Sequence, residues 1–140
     1  MSRPTRQNIA TRLLIILSTL SCAKLQAGHH ENIQPPAEPG QVIVVYQGAC
    51  PAESVDAAIE QVKKVIAYES LNSPISYKSS PGVWADGRVG AVDIHRSMAA
   101  MEQAFAWQSS DTSWSEGYDA VAASCGITVE DFTVAIFEAR

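Results

Sequence analysis

The stretch Asp86-Gly87-Arg88-Val89-Gly90-Ala91-Val92-Asp93-Ile94-His95-Arg96-Ser97-Met98 decides how this chain folds. Asp86-Gly87 is a hairpin signal, because a type I′ turn needs positive φ at both central positions. It joins Val83-Trp84 to a predicted strand, Val89–His95. In that strand Val92 and Ile94 point one way, and Ala91, Asp93 and His95 point the other. Ser97 then fits a helix N-cap, where a hydroxyl can accept from a free first-turn amide. One strand thus has a hairpin before it and a helix after it.

The pattern extends outward on both sides. Gln41–Gln47 is dense in β-branched residues and apolar on both faces, which suits a central strand. Pro51 fits a first helical position and Glu53 the third, so a helix is expected over Glu53–Glu69. Its stripe is Val55, Ile59, Val62 and Ile66, with Glu60 and Lys64 as an i,i+4 pair on the other side. Leu71-Asn72-Ser73-Pro74 ends it, and a second strand is expected near Ile75–Lys78. C-terminal to the opening stretch, Ser97–Cys125 is helical with a break at Ser109-Ser110-Asp111-Thr112. Met98, Met101 and Phe105 form the first buried stripe. Trp114, Tyr118, Val121 and Cys125 form the second, and Gly126 supplies the αL residue that closes it. Phe132–Glu138 is the last strand.

The order is therefore βαββαβ. It implies an α+β, ferredoxin-like fold: a four-stranded antiparallel sheet with its helices on one face. The other face, with apolar residues such as Val42 or Ile43, must be covered by something. From Val89 through the helix Ser97–Phe105, the break, Trp114–Gly126 and Asp131–Phe137, the chain resembles the dimeric α/β-barrel superfamily, and the first strand and helix match it in order. That resemblance implies a homodimer with a cleft between sheet and helices. Members include cofactor-independent monooxygenases, haem-degrading enzymes, isomerases and dehydratases, so it implies no single reaction.

The N-terminus reads as an export signal. Arg3, Arg6 and Arg12 precede the apolar run Leu13–Leu17, and Ala27 is the expected cleavage point, giving residues 1–27 as a signal peptide. Cys22 offers a second outcome, lipid attachment, which is the one route to a membrane that the sequence suggests. Residues 28–40, with Pro35, Pro36 and Pro39, are expected to form a flexible arm, and residues 41–140 the folded domain. Removal of the leader leaves Cys50 and Cys125. An exported protein meets an oxidising compartment. The topology puts the end of the first strand beside the start of the last, so a Cys50–Cys125 disulfide is expected.

The full chain has 10 basic and 15 acidic residues. Arg3, Arg6, Arg12 and Lys24 precede Ala27 and no acid does, so the mature part carries a net charge of −9. A strongly acidic domain without a basic stripe is unsuited to nucleic acid. There is no HExxH, CxxC, phosphate loop or GxSxG, and no cofactor is implied. Asp93 and His95 are the candidate catalytic pair, His95 as proton acceptor and Asp93 as its orienter, against the alternative of an interface or capping role. Tyr46, Tyr77, Trp84 and Trp107 are candidate ligand contacts, against the alternative of core filling. If the mature chain starts at Gly28, its amine, two amides and the His30 imidazole make a square-planar Cu(II) or Ni(II) set; otherwise the stretch is a polar arm. The expected function is an exported homodimer binding a small apolar molecule. If catalytic, it would be a cofactor-independent monooxygenase or isomerase. The alternative is a non-catalytic envelope protein that binds a ligand or partner.

Overall fold

The computed structural model describes residues 35–140. The strands are β1 (Val42–Gly48), β2 (Lys78–Val83), β3 (Val89–His95) and β4 (Thr133–Glu138), and the helices are α1 (Val55–Asn72), α2 (Met98–Ser110) and α3 (Thr112–Ser124). Single 3₁₀ turns at Ala52–Ser54 and Val129–Asp131 lead into α1 and β4. The sheet order is β2-β3-β1-β4, antiparallel throughout. This is the expected α+β, ferredoxin-like arrangement. The leader, Cys22, Gly28 and His30 lie outside the described residues. Among the described residues no helix is long and apolar enough to cross a membrane.

Alternation along the strands assigns the two faces. Val42 and Val44 of β1 and Val89, Asp93 and His95 of β3 are buried under the helices. Ala58 and Val62 of α1, Val121 and Ala122 of α3, and Phe132 close one core cluster, and Met101 with Val42 and Val44 forms another. The opposite face carries Ile43, Val45, Val92, Ile94, Ala135 and Phe137, as the register requires. Phe137 is 61% exposed. Of the two residues expected on the uncovered face, Ile43 lies there, while Val42 is wholly buried on the helix side.

Several local expectations are corrected. The second strand begins at Lys78, not Ile75, and runs through Ser79-Ser80-Pro81-Gly82. That composition argues against a strand, but β2 is an edge, where Pro81 forfeits no ladder bond it would need. The Asp86-Gly87 hairpin forms without a type I′ turn. Only Gly87 has positive φ, at 85°, and the Gly87 amide donates to the Trp84 carbonyl. This pattern fits the three-residue loop whose αL glycine forms a bulge. Glu60 pairs with Lys63 at 2.7 Å rather than with Lys64. Met98 is 37% exposed, so the α2 stripe starts at Met101. Part of the arm is built onto the domain: Ala37 is buried, and Gly40 and Ala139 are joined by a hydrogen bond.

The chain closes α3 as expected. The Gly126 amide donates to Ala123 and the Ile127 amide to Ala122, the two bonds of a Schellman motif. This turn delivers Cys125 to Cys50, and the two form a disulfide with a Cα–Cα distance of 4.5 Å.

Candidate functional site

Asp93 sits on the helix-side face of β3, opposite Ser79 of β2 in the register. The Ser79 hydroxyl donates to Asp93 Oδ1. Asp93 is 2% exposed. Burial raises its pKa to about 7; the Ser79 hydrogen bond opposes the shift and the Glu69 charge adds to it. A carboxyl in so apolar a setting holds its proton far above the usual range because the charged form loses hydration.

Glu69 comes from α1. It continues the Val62, Ile66 stripe at helical spacing, so the helix turns it inward. It is 7% exposed. Trp114 Nε1 donates to Glu69 Oε1 at 2.6 Å, and Gln108 Nε2 donates to the same oxygen at 3.2 Å. Gln108 Nε2 also reaches the Tyr77 hydroxyl at 3.1 Å. Burial raises the Glu69 pKa, and the hydrogen bonds from Trp114, Tyr77 and Gln108 pull it partly back. Trp114 is itself placed by the α2–α3 break. Asp111 caps α3 by accepting from the Trp114 amide at 2.8 Å, and it accepts from the Tyr68 hydroxyl at 3.1 Å.

These groups border two adjoining spaces. An inner chamber of about 40 Å³ lies between α1, α3 and β3, with apolar walls that include Val62, Val65, Val121 and Phe132. Its polar groups include Glu69, Asp93, Ser79, Gln108 and the Tyr46 phenol. An outer groove of about 440 Å³, between the end of α1 and the segment 73–79, shares Ile66, Glu69 and Ser79 with the chamber. Glu69 and Ser79 thus stand where the two meet. The Tyr46 hydroxyl is buried and has no hydrogen-bond partner among the described residues. Burial, then the charges of Asp93 and Glu69, push its pKa far above the usual phenol range. Tyr118 is pushed up to about 12 by burial and then by Asp93.

The expected site residues separate. Tyr46 lines the inner chamber and Tyr77 the outer groove. Trp84 stands at the β2–β3 turn and lines neither. Trp107 lines neither and stacks on Tyr68, with ring centroids 6.4 Å apart. Asp93 and His95 share the sheet face but form no orienter–base hydrogen bond. Residues two apart on a strand are separated by roughly 7 Å, and Ser79, directly across the ladder, takes the carboxyl instead. Neither His95 nitrogen has a hydrogen-bond partner among the described residues. Its ring lies 4.6 Å from Tyr77 and edge-on to Phe105, and burial lowers its pKa. Sequence reasoning missed Glu69, Gln108 and Trp114. The available signal was an acid on the apolar stripe of α1.

The sequence matches no protein-family model, and no curated protein matches it. Two solved structures resemble the fold. One is a dimeric ferredoxin-like protein of unknown function from Jannaschia sp. CCS1, with 13% identity and a TM-score of 0.54 over 71% of this chain and 99% of that one. The other is a conserved protein from Methanosarcina mazei Go1, with 13% identity and a TM-score of 0.50 over 71% and 93%. The class is thus defined at the level of the fold: this is a ferredoxin-like α+β protein. Within that fold no subfamily is identified.

Proposed function

We propose that this chain is an exported homodimer that binds a small, largely apolar molecule between the sheet and helices α1 and α3. The observation that carries the reading is the inner chamber. Its walls are apolar, yet two deeply buried carboxyls and an unpartnered phenol border it. Small-molecule sites commonly combine apolar walls with a few placed polar groups. The adjoining groove offers a way in from solvent. Pairing of two open sheet faces is supported by the apolar residues Val45, Val92, Ile94 and Phe137, and by the dimeric state of the Jannaschia protein. Export is supported by the basic and apolar N-terminal pattern, with which the Cys50–Cys125 disulfide is compatible.

For chemistry, the chamber offers Asp93, whose carboxyl is raised to about 7, as a group suited to exchanging a proton near neutral pH. This shifts the candidate acid–base role from His95 to Asp93, with Ser79 as its partner and the Tyr46 hydroxyl as a further hydrogen-bonding group at the ligand. Proton transfer within a bound molecule fits these groups better than a step through the wholly enclosed His95. The test is native mass spectrometry of the full chain as purified. A dimer mass with a bound small molecule, absent from an Ala91→Leu variant that fills the chamber, supports the reading. Ligand retained by a folded Ala91→Leu dimer contradicts it.

A further inference from the structure

Glu69 and Asp93 pose a chemical question that the protein does not answer with its own side chains. Both carboxyls are more than nine-tenths buried and border one chamber. The ion pairs of the described residues join Lys63 to Glu60, Arg88 to Asp86 and Arg140 to Glu138, and none reaches Glu69 or Asp93. Glu69 is held by the Trp114 indole and Gln108, and Asp93 by Ser79, all neutral donors. A third oxygen, the Tyr46 hydroxyl, is buried without a partner, and the charges of both carboxyls act on it. Three oxygen-bearing side chains thus border one apolar chamber whose lining includes no Lys or Arg. A buried carboxyl without a cation keeps its proton, and its charged form is stabilised when an opposite charge joins it.

We propose that the ligand is a primary amine on a short apolar body, its ammonium seated among Glu69, Asp93 and Tyr46 Oη and its hydrocarbon part in the chamber. This rests on the small-molecule reading above and names its substrate class. An ammonium carries three donors and no acceptor, which matches three oxygen-bearing groups on one chamber. The aromatic walls suit the same charge, because Trp114 and Tyr118, stacked with centroids 5.1 Å apart, border the chamber and ring faces attract cations. The walls of Val62, Val65, Val121 and Phe132 accept a short branched hydrocarbon. A metal ion is a poorer fit: among the described residues no three His, Cys, Asp or Glu side chains come together as ligands. An anionic ligand would meet two carboxyls.

The experiment is isothermal titration of the full chain at about pH 8 with three probes of similar shape: isobutylamine, isobutanol and isobutyrate. Charge-assisted hydrogen bonds imply that the amine binds about tenfold or more tightly than the alcohol, and that the acid does not bind. Asp93→Asn and Glu69→Gln, each near-isosteric, should remove most of the amine's advantage and leave the alcohol's affinity within about threefold. Two-dimensional NMR spectra confirm that each variant is folded, and if one is not, the other still decides. Equal binding of amine and alcohol overturns the amine proposal while the apolar site stands. Amine binding unchanged in both folded variants also overturns it, since the attraction would then come from the acidic surface. Failure of all three probes to bind overturns the site itself.

Discussion

Asp93 makes its burial measurable through pH. Its carboxyl titrates near the ordinary value of 3.8 in the unfolded chain and at about 7 in the fold. Between those values the folded state holds a proton that the unfolded state has released. Stability from this group is therefore present below about pH 4 and is lost as pH rises through about 7. The raised Glu69 acts in the same direction. His95 opposes them: its pKa is lowered by burial, so its contribution is lost as pH falls below its unfolded value near 6.5. Wild-type stability mixes these slopes, and the variant isolates one. Urea unfolding at fixed protein concentration should show Asp93→Asn gaining on wild type between pH 4 and 8, by up to about 4 kcal/mol. A constant difference across that range would mean that Asp93 is not buried as described. The sequence revealed the shared face of Asp93 and His95, since alternation alone fixes it. It did not reveal that Ser79 takes the carboxyl, because that depends on the β2 register, and β2 was misplaced by its own Ser, Pro and Gly content.

At the scale of elements, the site depends on one cap. Asp111 ends α2, begins α3 and fixes the first turn that carries Trp114 to Glu69. Replacing it with alanine removes the cap and the Tyr68 hydrogen bond. Asp111→Ala should cost about 1–2 kcal/mol in chemical denaturation, and the fluorescence of Trp114, read in a Trp84→Phe, Trp107→Phe background, should shift. An unchanged Trp114 spectrum would show that the indole is held by other contacts. The α2–α3 break was readable from Ser109-Ser110-Asp111-Thr112, and the end of α3 from Gly126, because caps are local chemistry. Glu69 and Gln108 were harder to read. Each lies on a helix stripe that the apolar periodicity defines, and only the tertiary packing that brings Gln108 of α2 to Glu69 of α1 reveals that the polar groups meet.

For the whole molecule, two constraints were legible from topology: the cross-link between Cys50 and Cys125, and the uncovered sheet face. The 75-residue separation of the cysteines implies about 4 kcal/mol from restriction of the unfolded chain. A Cys50→Ser, Cys125→Ser pair should lower the unfolding free energy by that order without changing ligand affinity, since neither cysteine borders the chamber. Loss of affinity in a folded double variant would tie the cross-link to the site. On the open face, Val92→Lys places a charge at the centre of the apolar patch. Light scattering should then report a monomer for the variant and, if the proposed interface is right, a dimer for the parent. A dimer that survives the charge would place the interface elsewhere.

On the proposed reading the sheet serves two surfaces, a ligand on its helix side and a second copy on its open side. A crystal structure of the full chain as purified tests both together. It should contain a two-fold dimer burying Val45, Val92 and Phe137, with electron density for a small molecule in the chamber beside Glu69, Asp93 and Tyr46. A chamber filled by the protein's own side chains, in a molecule whose open sheet face meets only solvent, would contradict it.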